Sequence, residues 1–349
     1  MKKKKILIAP LDWGLGHATR CIPIARALEK QGFEVLFCAT SRSLDLLIKE
    51  FPDKQFIKLD GYNISYPKNG WMVLSMIFQS LRILYKIRQE NKDLKQIIKD
   101  FEIDGIISDN RYGMFNKNIP SIFVTHQINI QSPFLSTFIK KINLWFIKKY
   151  DQCWIPDTEE NILSGNLSLL NLSNNKFKFI GPLSRFEKVN RTKKTEILAI
   201  ISGPEPQRSM FEKVLKKQLL ESGKKCMLIL GKTESDKQET IKNLTILNHL
   251  PSQELNQEIC NSDIVISRSG YSTIMDLAAL NKKAIFIPTP GQTEQLYLAQ
   301  HFENQKIAYA QHQNDFDLKK AIDESKNYFG FKKEIKKYNL KKLFTIFEG

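Results

Sequence analysis

The chain has 349 residues, 42% hydrophobic and 26% charged, with a formal net charge of +16. That length accommodates two domains, each able to bury a core, and the composition excludes a largely disordered chain. The positive balance points to an anionic partner such as phosphate or a membrane surface, although scattered lysines also serve solubility alone. No aromatic-basic RNA motif, helix-turn-helix or zinc finger is evident, so no nucleic-acid partner is expected.

The chain opens on a buried strand, Lys5-Ile6-Leu7-Ile8-Ala9-Pro10. Gly14-Leu15-Gly16-His17-Ala18-Thr19-Arg20 follows, and then an amphipathic helix to about Lys30. The Met-Lys-Lys-Lys-Lys start imitates the charged part of a secretion signal, but the apolar run behind it is too short. Strand, Gly-x-Gly loop and helix make a Rossmann-like opening. The third glycine of the dinucleotide fingerprint is missing, and Ala39-Thr40-Ser41 lacks the acidic ribose ligand. A dinucleotide site is therefore not expected in this half. His17 stands at a helix N-terminus, where the dipole favours the neutral ring. Catalysis and simple helix capping are both open to it.

Strand signals at 33–39, 55–59, 104–108, 121–125 and 152–156 alternate with helix signals at 44–50, 71–99 and 134–149. Such alternation is the pattern of a mostly parallel sheet. Asp109 and the pair His126-Gln127 each follow a strand; Asp109 suits either catalysis or turn capping. Residues 71–88 and 133–150 mix aromatic and aliphatic side chains with basic ones, which suits helices lying on an anionic membrane. Core-packed helices with solvated lysines would read the same way. Gly181-Pro182 breaks the pattern, and the polar run 186–195 reads as a linker.

A second alternating unit starts at 197–201, with further strands at 225–230, 263–267 and 284–288 and helices at 208–222, 252–261, 273–280 and 294–304. Its most informative stretch runs from Ser267 to Gln295. After a buried strand, Ser269-Gly270 turns the backbone into a helix whose free N–H groups can hold phosphate. Asp276 follows in that helix, an acceptor suited to a pair of ribose hydroxyls, although a surface carboxylate would look alike. Beyond the next strand, Gln292, Glu294 and Gln295 offer groups that pair with sugar hydroxyls. The segment 331–347 reads as a basic amphipathic helix. Five cysteines (Cys21, Cys38, Cys153, Cys226 and Cys260) lie in or beside apolar segments without a C-x-x-C pair, which predicts buried reduced thiols. Neither a D-x-D motif nor a His/Asp cluster with metal spacing is present, so no metal is expected. No run reaches the length of a transmembrane helix, and a cytoplasmic protein is expected.

Taken together, GLGHATR, His126-Gln127, Gly181-Pro182-Leu183-Ser184-Arg185 and the Ser267–Gln295 block resemble the GT-B glycosyltransferases. The nearest group is MurG-like, with a C-terminal domain of the glycosyltransferase family 28 type. The resemblance implies an α/β GT-B fold of two Rossmann-like domains facing across a cleft. Residues 1–185 would bind the acceptor, 196–329 the UDP-sugar donor, and 330–349 would form a basic helix crossing back to the first domain. The implied reaction is an inverting, metal-independent transfer of a sugar, N-acetylglucosamine or a related hexose, to a lipid-linked or cell-envelope glycan. The UDP-sugar is a substrate, so no cofactor is expected. Peripheral contact with the inner face of the membrane is implied as well.

By the same resemblance, His17 and Asp109 compete for the role of base. On the donor side, Asp276 would hold the ribose, Ser269 and Gly270 the diphosphate, and the backbone at Leu250 the uracil. Gln292, Glu294 and Gln295 would meet the sugar, while Arg185, Ser202 and Gly203 would stand near the phosphates. The turn after Gly203 departs from the pattern: it carries two prolines, and Glu205 would repel phosphate if it pointed inward. Gly14, Gly16, His126 and Gln127 fall on the acceptor side. A UDP-sugar 2-epimerase of the same architecture and a non-catalytic nucleotide-sugar-binding protein remain the alternatives.

Overall fold

The computed structural model describes residues 2–62, 72–130, 136–170, 175–192, 194–232, 237–331 and 338–348. Trp71, residues 133–135 of the second basic segment and residues 332–337 of the C-terminal one lie outside that description. The chain divides into two compact units. One comprises Met1–Glu159, Asn166–Leu183 and Lys337–Gly349; the other comprises Glu160–Gly165 and Ser184–Lys336.

In the first unit the order is β1 (Lys5–Pro10), α1 (Gly16–Lys30), β2 (Glu34–Ala39), α2 (Ser41–Glu50), β3 (Gln55–Lys58) and α3 (Met72–Phe101). There follow β4 (Gly105–Asp109), β5 (Ser121–Val124), α4 (Ser136–Ile147), β6 (Gln152–Ile155) and β7 (Phe177–Phe179). The strands form one parallel sheet in the order β3-β2-β1-β4-β5-β6-β7. Its central strands are apolar on both faces because helices cover both. Leu7, Ala9, Leu36 and Ile106 pack against Leu94 and Ile97 of α3, and the buried Ile22 and Ala25 come from α1. Strand order reverses between β1 and β4, which opens a crevice at their C-terminal ends.

In the C-terminal segment the described residues form a 3₁₀ helix, Leu340–Phe347. Phe344 and Phe347 are three apart, a spacing that a 3₁₀ turn eclipses on one face. Both rings reach Phe33, with centroids 6.3 and 6.2 Å away, and both contact Trp154. Gly105 makes room for them, since a Cβ there would stand 2.5 Å from the Phe347 ring.

The second unit runs β8 (Thr195–Ile200), α5 (Gln207–Glu221), β9 (Cys226–Ile229), β10 (Gln238–Ile241), β11 (Leu244–Leu247) and α6 (Ser252–Asn261). It continues with β12 (Ser262–Ser267), α7 (Tyr271–Ala279), β13 (Lys283–Phe286), α8 (Thr293–Asn304), β14 (Tyr309–Ala310) and α9 (Leu318–Ser325). Strand order is β10-β11-β9-β8-β12-β13-β14, parallel except for the β10–β11 hairpin. Strand β10 is almost wholly polar and exposed, so it carried no apolar signal to read. The core joins Ala199, Leu228 and Ile266 of the sheet to Phe211 and Leu215 of α5. Four cysteines are buried thiols as expected, but Cys260, near the end of α6, is only half-buried. Among the described residues no helix is long and apolar enough to cross a membrane.

Candidate active site

Each unit gathers expected site residues where its strand order reverses. In the first unit, Pro10 at the end of β1 pairs in register with Asp109 at the end of β4. Leu11 N–H then donates to the Asp109 carbonyl at 2.9 Å, which ties the glycine loop to that strand end. Gly14 takes φ +76°, a left-handed conformation that favours glycine, and α1 begins at Gly16 with His17 in its first turn.

This brings four polar side chains together. His17 Nδ1 lies 2.8 Å from Asp109 Oδ1. Arg20, one turn along α1, grips the same carboxylate with two prongs, Nε on Oδ2 and Nη2 on Oδ1. Its Nη2 also lies 2.9 Å from His17 Nδ1, and its Nη1 lies 3.2 Å from His126 Nδ1. Asp109 is fully buried, and Arg20 and His126 nearly so. Burial by itself would push the Asp109 carboxyl up; the charges of Arg20 and His17 and their hydrogen bonds outweigh it and hold the group at about 2. Gln127 is half-buried, with its N–H on Thr125 Oγ1 at 3.0 Å and its carbonyl accepting from Asn143.

Arg20 was not among the expected site residues, although a signal for it exists. It sits beside Cys21 and Ile22 on the apolar face of an amphipathic helix, where an arginine needs a buried carboxylate. A second buried pair stiffens the loop after β4. Arg111 Nε donates to Glu90 Oε1 at 2.5 Å, and Tyr62 donates to Glu90 Oε2 at 2.7 Å. A cavity of about 400 Å³ lies beside that pair, lined by Lys58, Asp60, Lys86 and Asp93 among others, and holds none of the expected site residues.

In the second unit the reversal falls between β8 and β12, whose ends pair as Ile200 with Ser267. Ser202 and Gly203 follow β8 and are exposed, with Gly203 at φ +107°. Glu205 is turned onto Arg208, 2.7 Å away, so its charge is paired within its own turn. After β12, Ser269 Oγ donates to the Gln295 carbonyl at 2.7 Å. Gly270 caps α7 with no side chain, and a Cβ added there would meet nothing within 4 Å. The open N-terminus of α7 thus offers backbone N–H groups and the positive end of a helix dipole.

Asp276 projects from α7. Its Oδ1 accepts from Ser184 Oγ at 2.7 Å, and the carboxylate also accepts from the Arg185 backbone N–H. Burial pushes this carboxyl up to about 6, against the opposing charge of Arg185. Arg185 donates from Nη1 to Ser252 Oγ at 2.8 Å and lies over the Phe186 ring. Leu250, in the connection from β11 to α6, is buried. Gln295 clamps its loop, with Oε1 accepting from Thr289 N–H at 2.8 Å and Nε2 donating to Gln292 Oε1 at 2.6 Å. Glu294 is half-buried in the first turn of α8.

The sequence missed Arg268 here as well. It is buried and holds the carbonyls of Ile287, Pro288 and Gln207 together with Gln313 Oε1, so one guanidinium braces the rim of this sheet. Among the described residues no group of three or more His, Cys, Asp or Glu side chains could hold a metal ion.

Residues 197–342 match the glycosyltransferase family 28 C-terminal domain. An uncharacterized glycosyltransferase of Methanosarcina mazei is 30% identical over 318 residues, covering 83% of this chain and 81% of its own. The chain belongs to the MurG-like GT-B glycosyltransferases. A UDP-N-acetylglucosamine--N-acetylmuramyl-(pentapeptide) pyrophosphoryl-undecaprenol N-acetylglucosamine transferase of Sulfurihydrogenibium sp. is 24% identical over 354 residues, 96% of this chain and 94% of its own. Among solved structures, the MurG of Acinetobacter baumannii superposes with a TM-score of 0.55 at 13% identity, covering 95% of this chain and 91% of its own. The kitacinnamycin glycosyltransferase does so with 0.62 at 14%, covering 93% and 91%. The glycosyltransferase therefore has the GT-B fold, with two parallel-sheet Rossmann-like domains. Its family 28 match contains every expected donor-side residue except Arg185, and the His17–Asp109–Arg20–His126 cluster lies outside it.

Proposed function

We propose that this glycosyltransferase moves a sugar, N-acetylglucosamine or a related hexose, from a UDP-sugar to a lipid-linked or cell-envelope glycan. The reaction inverts the anomeric centre and uses no metal. The observation that carries the reading is the 2.8 Å approach of His17 Nδ1 to the buried Asp109 carboxylate at the reversal of strand order. An ionised carboxylate can only accept, so it takes a hydrogen bond from Nδ1–H and leaves the lone pair on Nε2. That nitrogen removes the proton of the acceptor hydroxyl. The freed oxygen attacks the anomeric carbon from the face opposite the leaving group, and the carbon–oxygen bond to the diphosphate breaks. UDP leaves with the bonding pair.

In the second unit the α7 N-terminus at Gly270, together with the charge of Arg185, would stabilise the departing diphosphate. Asp276 would take the ribose hydroxyls. The name of the Sulfurihydrogenibium relative supports the choice of donor sugar and of a lipid-linked acceptor. Membrane contact is supported by the first unit itself. Trp145 and Ile142 of α4 and Leu84 and Tyr85 of α3 are exposed, and the Lys149 ammonium lies 3.7 Å over the Trp145 ring.

The test is transfer of radiolabel from UDP-N-acetylglucosamine, and separately from UDP-glucose, into the butanol-extractable fraction of a bacterial membrane lipid extract. Label should move from one donor and be lost by a factor of about 10² or more in His17→Ala. Undiminished transfer by that variant would remove His17 as the base. Absence of transfer from either donor, with UDP still bound, would leave a binding protein.

A further inference from the structure

We propose that Arg20 is a positioning residue that sets opposite tautomers on His17 and His126, making one imidazole a proton acceptor and the other a proton donor at their Nε2 atoms. The inference rests on the reading of His17 as base and concerns how that base is kept ready. It starts from a conflict at one atom. His17 Nδ1 faces Asp109 Oδ1 at 2.8 Å and Arg20 Nη2 at 2.9 Å. The carboxylate can only accept and the guanidinium can only donate, so a single ring nitrogen cannot satisfy both.

The geometry decides the conflict. Arg20 Nε and Nη2 already donate to the two oxygens of Asp109 as a fork. Asp109 therefore accepts a hydrogen bond from His17 Nδ1–H, and Arg20 stands beside that ring as a charge and not as its hydrogen-bond donor. Its remaining arm, Nη1, points at His126 Nδ1 from 3.2 Å. A guanidinium N–H makes that nitrogen an acceptor, which leaves the proton of His126 on Nε2. Asp109, held in place by the Arg20 fork, thus fixes Nδ1–H on His17, and Arg20 Nη1 fixes Nε2–H on His126.

The groups that face His17 are Asp109 and Arg20, with Cys21 Sγ 3.8 Å from the same carboxylate and His126 on the far arm of Arg20.

The experiment is ¹⁵N NMR of the full chain labelled in histidine, which reads tautomer and charge without any acceptor. At pH 7 the wild type should show His17 as Nδ1–H and His126 as Nε2–H. In Arg20→Met the His126 preference should be lost, with a several-fold rise in its Nδ1–H form. Arg20→Lys keeps a charge without the fork, and His126 should still mix its tautomers. Wild-type His126 found as Nδ1–H would overturn the proposal even if no variant folds, and so would spectra of Arg20→Met matching the wild type at both rings. Neither result touches the transfer assay of His17→Ala, so failure of this inference is separable from failure of the proposed function.

Discussion

The Ser184 hydroxyl donates to Asp276 Oδ1 at 2.7 Å within the second unit, so the carboxylate expected to hold a ribose already carries one hydroxyl. This shows what the site does to an acid: it half-buries a carboxyl and returns a hydroxyl, a backbone N–H and the nearby Arg185 charge. Burial dominates, and the group rises to about 6.

A pH dependence follows. Below about 6 Asp276 is protonated and loses the acceptor capacity that ribose hydroxyls need. UDP affinity measured by calorimetry should fall as pH drops from 7.5 to 5, and Asp276→Asn should flatten that dependence. The linkage to stability has the opposite sign. A carboxyl raised above its ordinary value of about 4 favours the fold when protonated, and that contribution is lost as pH rises through about 6. Asp276→Asn should therefore raise the melting temperature relative to wild type more at pH 8 than at pH 5.

Asp109 behaves in the reverse way. Its folded value of about 2 lies below the ordinary one, so its contribution is present above about pH 4 and is lost as pH falls through about 2. Asp109→Asn leaves the buried Arg20 cation without its carboxylate, which costs about 3–5 kcal/mol. Urea unfolding at pH 7 should show that loss, and the gap to wild type should narrow below pH 3. An unchanged midpoint at pH 7 would mean that the pair contributes nothing to the fold.

Phe347 is almost fully buried against Phe33, Trp154 and the space left by Gly105. Phe347→Ala should destabilise by about 3–5 kcal/mol, the range for emptying an aromatic site in a core. Gly105→Ala should also destabilise, because its Cβ would stand 2.5 Å from the same ring. Thermal unfolding of the two single variants and of the pair checks this: in Gly105→Ala/Phe347→Ala the added methyl enters the vacated space, and the pair should cost less than the sum.

The exposed Trp145 gives a test of membrane contact. Co-sedimentation with vesicles containing anionic phospholipid should fall several-fold in Trp145→Ser and should weaken with salt. Equal sedimentation with purely zwitterionic vesicles would argue that the lysines play no part.

Local pattern carried much of this protein. The apolar runs of β1, β12 and β13, the glycines at 14, 16 and 270, and the alternation of strand with helix are properties of neighbouring residues. They placed two parallel sheets and most of the candidate residues. Polar edge strand β10 escaped because nothing apolar marks it, and the 3₁₀ form of the C-terminal turn escaped because two phenylalanines three apart suit either helix. What pairs with what was a matter for the fold. His17 and Asp109 are 92 residues apart, and only the register of β1 on β4 makes them partners in place of competitors. Arg20 reads as an ordinary helix residue until that register sets Asp109 beside it, and only the fold shows the Gln295 amide holding Thr289 and Gln292. Chain order determines which groups are present and on which element; burial and long-range hydrogen bonding decide their charges and partners, because both depend on residues far away in the chain.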